Sequence, residues 1–144
     1  RRCILTPTEK TAESALELIR DMWQLVGSQV VVMEVDKHDR VLAAISHLPH
    51  MVAYALVNAV GPHDRYGENI LEYSAGGFRD FTRIASSDPT MWRDIALTNR
   101  EALIEMMGQF ETFFEELKED VAVGSGERLF EFFRRSKQSR DEII

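Results

Sequence analysis

Residues Gln29–Val57 read QVVVMEVDKHDRVLAAISHLPHMVAYALV. The first seven, QVVVMEV, are short, β-branched and bounded by Gly27 and Asp36, which predicts a strand. From Asp36 the pattern becomes helical. Asp36 is a candidate N-cap for a helix running to about Ala59, where Gly61-Pro62 stops it. The change of pattern at residue 36 decides the fold, with a β-containing lead before it and helices alone after it.

Upstream, RRCIL is strand-like. Thr6-Pro7-Thr8-Glu9 has the form of a capping box, with Pro7 at a position where a missing N–H costs nothing. Ala12, Ala15, Leu16, Ile19, Trp23 and Val26 recur at helical spacing, and Gly27 is a good terminator. Residues 1–35 therefore read as strand, helix, strand, the tail of a β-α-β pattern. A parallel pair makes no stable sheet alone, so the rest of the sheet is expected in sequence not present here. The opening RRCILTP, without Met, reads as the edge of a piece cut from a longer polypeptide.

Downstream, a short helical piece is expected near Glu68–Ser74 and a single helix over FRDFTRIASS. Asp88-Pro89 opens another helix, Asn99 kinks or restarts the chain, and Gly124-Ser125-Gly126 separates the last two helices. In the longest helix Ala102, Leu103, Met106, Phe110, Phe113, Phe114 and Leu117 form an apolar stripe. In the last, Leu129, Phe130 and Phe133 are expected to face inward. The fold class is mainly α: a bundle of about six helices over residues 36–144 with a short N-terminal β-α-β remnant. The stripe suits an intramolecular core, and its breadth also suits a homodimer interface.

The chain has 144 residues, with 17 basic and 24 acidic side chains and a net charge of −7. That balance argues against nucleic acid as a partner and against an anionic membrane surface. No apolar run approaches the roughly 20 residues a membrane span needs. Cys3 is the single cysteine, so no internal disulfide forms, and the chain suits a reducing, cytoplasmic compartment.

His47 and His50 are three apart and share a helix face, and Pro49 removes a backbone N–H from the same turn. Three readings compete for this pair: satisfied core histidines, a metal site, or a pocket for an anion or carbonyl ligand. The metal reading lacks a third ligand at sensible spacing, because His38 and His63 lie at or beyond the helix ends. A second cluster follows in Gly76–Pro89, GGFRDFTRIASSDP. Phe78, Phe81 and Ala85 mark a buried side, with Thr82 and Arg83 at its boundary. An Arg at such a boundary is either a snorkelling surface residue or a bidentate clamp on a carboxylate.

Taken together, LTPTEKT, HDRVLAAISHLPHMVAYALV, GGFRDFTRIASSDPTMWRDI and the Asn that follows closely resemble the C-terminal part of prephenate dehydrogenases, in family order and spacing and over nearly the whole chain. The resemblance implies NAD-dependent oxidative decarboxylation of prephenate to 4-hydroxyphenylpyruvate in tyrosine biosynthesis. NADP is an alternative cofactor, and arogenate an alternative substrate in some members. It implies an N-terminal Rossmann domain and a helical domain that forms an intertwined homodimer, with the active site between them. The catalytic His, its Ser partner and the glycine fingerprint would lie upstream of Arg1, so no catalytic or cofactor-binding residue is assigned here, and the piece alone is expected to be inactive. Carried over residue by residue, His50 would bind substrate polar groups, Arg83 would clamp a carboxylate, and His47 would line the pocket. Gly76 would allow close backbone approach, Trp92 would close one wall, and Asp80 would orient Arg83 or pair with it. Tyrosine, which resembles the product, is a candidate feedback inhibitor at the same pocket.

Overall fold

The computed structural model describes residues 1–61 and 70–143. The chain divides into two compact units, Arg1–Leu103 and Ile104–Ile144.

The first unit opens with β1 (Arg2–Leu5) parallel to β2 (Gln29–Val32), Arg2 opposite Gln29 and Leu5 opposite Val32, joined by α1 (Glu13–Leu25). The expected start of α1 at Thr6 is wrong by about two turns. Thr8 N–H donates to Thr11 Oγ1 and Thr11 N–H to the Thr8 carbonyl, both at 2.9 Å. These bonds close a separate turn, and Thr11 N–H, which a helix begun at Pro7 would give to the Pro7 carbonyl, goes to Thr8 instead. The end of α1 follows expectation. Gly27 takes φ +82°, which lets Ser28 N–H reach back to the Trp23 carbonyl at 3.0 Å.

Beyond β2 the chain enters a helix two residues earlier than an N-cap at Asp36 suggested. Glu34 holds the extended N-cap conformation and Asp36 falls in the first turn, where its charge complements the helix dipole. α2 (Val35–Leu42), a π-helical turn over Ala43–His47 and α3 (Leu48–Val60) form one continuous helix of 26 residues. By length and composition alone this helix is apolar enough to cross a membrane, which corrects the reading that no such segment exists. The correction arises because charged residues cluster at its first turns and leave the remainder apolar.

A 3-10 turn at Ile70–Tyr73 lies within the short helical piece expected near Glu68–Ser74, whose first two positions are outside the described residues. FRDFTRIASS is two elements, α4 (Gly76–Thr82) and a 3-10 turn (Arg83–Ser86). Thr82 Oγ1 donates to the Phe78 carbonyl at 2.6 Å and Ser87 Oγ to the Ile84 carbonyl at 2.8 Å. Such hydroxyl bonds compete with the backbone ladder and tighten the turn. Asp88 caps α5 (Pro89–Thr98) as expected, its Oδ1 accepting from Met91 N–H at 2.8 Å. Asn99 then separates α5 from α6 (Arg100–Val123).

In the second unit the C-terminal part of α6 and α7 (Gly126–Asp141) are joined by a turn in which Gly124 takes φ +69°. Ser125 Oγ caps α7 by accepting from Arg128 N–H at 3.3 Å. Asp120 is buried at this turn. Arg128 Nε lies 2.6 Å from its Oδ1, an ion pair set off the ideal hydrogen-bond direction, and Arg135 Nη2 binds Glu116 Oε1 at 2.8 Å. The aromatic faces depart from expectation. Leu129 and Phe132 are half-buried, whereas Phe130 and Phe133 are exposed, as are Phe110, Phe113 and Phe114 on α6. Two helices cover only their facing stripes, so a ring of apolar residues broader than one stripe stays outside. Among the described residues the fully buried apolar side chains are only Ala43, Ala53, Trp92 and Leu103.

Candidate functional site: a histidine–tryptophan wall beside an unpaired arginine

Pro49 has no N–H to donate one turn back along its helix. The chain widens the preceding turn instead, and Leu48 N–H bonds the carbonyl of Ala43, five residues earlier. His50 supplies its side chain to the same turn, with Nδ1 2.9 Å from the Ser46 carbonyl. A carbonyl only accepts, so His50 carries its proton on Nδ1 and presents Nε2 outward.

His47 holds the opposite tautomer. Asn99 Nδ2 lies 2.8 Å from the Asp39 carbonyl and 3.1 Å from His47 Nδ1. The carbonyl fixes Nδ2 as the donor, so His47 Nδ1 accepts the second amide hydrogen and the ring proton sits on Nε2. Burial holds the His47 pKa below its ordinary value of 6.5. Asp39 pulls the other way, and His38 and His50 add to the lowering.

Trp92 on α5 brings the two histidines together. Its ring stacks on His50 at 3.7 Å between centroids, with planes 23° apart, and meets His47 edge to face at 6.1 Å. Its Nε1 is buried with no acceptor among the described residues. Tyr54, one turn beyond His50 on the same face, donates its hydroxyl to the Ser87 carbonyl at 2.8 Å. That bond ties α3 to the segment just past the 3-10 turn, against which α3 also packs.

Arg83 opens this 3-10 turn. It is exposed and forms no ion pair or hydrogen bond among the described residues. Asp80 is exposed on α4, and no ion pair joins it to Arg83. Gly76 is the first residue of α4, and a Cβ there would meet nothing within 4 Å, so internal packing does not require glycine. The structure thus gathers His47, His50 and Trp92 into one contact cluster and leaves Asp80 and Gly76 on α4, and Arg83 on the 3-10 turn after it, without direct bonds to that cluster. Among the described residues no three His, Cys, Asp or Glu side chains converge as metal ligands do.

Residues 34–135 match the family model described as prephenate dehydrogenase, dimerization domain. The chain belongs to the prephenate dehydrogenase family. It is 39% identical over 138 residues to the cyclohexadienyl dehydrogenase of Zymomonas mobilis, covering 95% of this chain and 47% of that protein. It is 36% identical over 140 residues to the prephenate dehydrogenase of Bacillus subtilis, covering 97% of this chain and 38% of that one. The chain therefore spans less than half the length of these curated relatives. Among solved structures, the prephenate dehydrogenase of Aquifex aeolicus in complex with hydroxyphenyl propionate and NAD+ matches with a TM-score of 0.91 at 42% identity, over 99% of this chain and 50% of that one. Synechocystis arogenate dehydrogenase matches with a TM-score of 0.86 at 25% identity, over 99% and 52%. The long apolar helix Val35–Val60 lies within the part of the chain that shares its fold with the Aquifex protein.

The motifs that mark this prephenate dehydrogenase domain in sequence point to His50, Arg83 and Trp92, but not to what holds the histidines. Asn99 was legible as a helix boundary and as the Asn that closes the family motif, but not as the partner of His47. The π turn left one signal, a proline inside an apolar helix. The neutral state of His47 has a measurable consequence. Its folded pKa is depressed, so the unfolded chain takes up this proton first as pH falls below about 6.5. The stabilisation is complete above that pH and is lost below it. Urea denaturation of the wild type from pH 7.5 to 5 is expected to show a steeper fall in stability than His47→Asn, whose amide oxygen still accepts from Asn99. Equal slopes would sink the assignment.

Proposed function

We propose that this chain is the substrate-binding and dimerization half of an NAD-dependent prephenate dehydrogenase. The observation that carries the reading is Arg83, a guanidinium without a partner among the described residues, on the 3-10 turn that packs against α3, the helix from which His50 joins the histidine–tryptophan cluster. Prephenate is a dianion with a ring hydroxyl. A free planar fork suits a carboxylate, and imidazole nitrogens suit hydroxyl or carbonyl oxygens. Gly76 supports the reading because its place in the chain is not explained by packing. The relatives support it by their activities, and the Aquifex enzyme by having hydroxyphenyl propionate and NAD+ bound.

The cofactor does not fit this half. Between β1 and α1 runs TPTEKTA, with no glycine, and Gly27 is the single glycine before residue 36. A pyrophosphate turn needs several. When bound elsewhere in the full-length enzyme, NAD+ would accept a hydride as the ring carboxylate leaves as CO2. This half contributes orientation: Arg83 holds a carboxylate and the His50–Trp92 stack fixes the face presented. NADP use, arogenate as substrate and tyrosine as an inhibitor of the same pocket are extensions of this reading.

The test is steady-state kinetics on the full-length polypeptide. NAD+-dependent conversion of prephenate to 4-hydroxyphenylpyruvate is expected, with no turnover by residues 1–144 alone. Arogenate turned over with a higher kcat/KM than prephenate would move the assignment to the arogenate branch. Turnover of neither would end it.

A further inference from the structure

We propose that Asn99 is a positioning residue for the substrate wall, bridging the Asp39 carbonyl and His47 Nδ1 so that His47, Trp92 and His50 stand in one fixed order. The proposal rests on the functional reading above for what the wall receives, but the bridge itself is a matter of geometry.

Asn99 ends α5 and precedes α6, and its backbone alone performs that task. Its N–H donates to the Ile95 carbonyl at 3.0 Å and its carbonyl accepts from Leu103 N–H at 3.1 Å. The side chain is not needed as a cap. Both of its amide hydrogens instead leave for the long helix, one to Asp39 at 2.8 Å and one to His47 at 3.1 Å. Asp39 lies before the π turn and His47 is its last residue, so a single planar amide spans the widened turn from end to end. A π turn lacks the regular ladder that would otherwise hold its two ends in register.

The bridge acts on chemistry two contacts away. His47 meets Trp92 edge to face, and Trp92 stacks on His50. Because an amide N–H can only donate, it admits one state of His47: neutral, with the proton on Nε2. The charged groups that bear on His47 are Asp39, which favours the imidazolium, and His38 and His50, which oppose it; burial outweighs them all. An Asn99 carboxamide therefore sets both the place and the protonation state of the ring behind Trp92. Aspartate at 99 would have the same shape with the reverse demand, since a carboxylate only accepts.

Two measurements test this. In 15N-histidine spectra of the chain near pH 7, His47 is expected to carry its proton on Nε2 and His50 on Nδ1, and Asn99→Asp is expected to move the His47 proton to Nδ1 or make the ring cationic. In the full-length enzyme, Asn99→Ala and Asn99→Asp are each expected to lower kcat/KM for prephenate at least tenfold while KM for NAD+ stays within twofold, and Asn99→Asp alone to change the acid side of the pH profile. A wild-type His47 protonated on Nδ1, an unchanged His47 tautomer in Asn99→Asp, or kinetics within twofold of wild type in Asn99→Ala would each overturn the assignment. An enzyme that turns over no prephenate while His47 keeps the expected tautomer fails the functional reading instead, so the two failures are distinguishable.

Discussion

Arg83→Ala in the full-length enzyme is expected to lower kcat/KM for prephenate by about 10²–10³-fold, with most of the loss in KM. The size follows from the bond lost. Each hydrogen bond to a charged group contributes about 1.5–3 kcal/mol, and a bidentate guanidinium–carboxylate pair makes two. A net loss of about 3–4 kcal/mol corresponds to that fold-change. The folded state is not expected to suffer, since the Arg83 side chain is exposed and holds no partner among the described residues. Arg83→Lys keeps the charge without the fork and is expected to fall between the two. KM for NAD+ should stay within twofold. A KM for prephenate unchanged in Arg83→Ala would remove the clamp from the proposal.

The second large effect concerns assembly. Phe113→Glu with Phe114→Glu is expected to convert a dimer into monomers at micromolar concentration, read by sedimentation velocity. Both rings are 55% exposed on α6, and Phe110, Phe130 and Phe133 are exposed as well. Five open phenylalanines on a pair of helices amount to an apolar surface that a lone hairpin would not leave to water. Burying a Phe at an interface contributes about 1.5–3 kcal/mol, so losing two weakens association by about 10²–10⁴-fold before the cost of burying carboxylates is added. The match of residues 34–135 to a dimerization domain is why a second copy of the chain is the partner expected here. A double variant that sediments as the wild type does would place the interface elsewhere.

Where a local rule met no rival, the sequence was a good guide. Asp88-Pro89 capped α5, Gly27 and Gly124 took the left-handed turns that end helices, and Asn99 divided α5 from α6. These signals act within four residues, so nothing distant can overrule them. The failures came where two local options were close in energy. Thr6–Glu9 had the form of a capping box, yet Thr8 and Thr11 satisfied each other first. Glu34 displaced Asp36 as the cap because β2 ended early, at Val32. FRDFTRIASS had helical periodicity throughout, but the Thr82 and Ser87 hydroxyls tightened its second half into a 3-10 turn. Phe130 and Phe133 had the spacing of a buried face, and spacing does not say whether the covering surface belongs to the same chain.

The site divides in the same way. Residue type and order marked His47, His50, Arg83 and Trp92 as one set of candidates, because the family motifs are contiguous strings. They also determined the β-α-β lead, the helical remainder and the positions of most helix ends. The tertiary structure alone decided which proton sits on which nitrogen. Asn99 is 52 residues from His47 in sequence, and only the placing of the end of α5 beside the long helix brings its amide within 3.1 Å of that ring. Histidine tautomers are set by the partner of the other nitrogen, and a partner supplied by a distant element leaves no local trace.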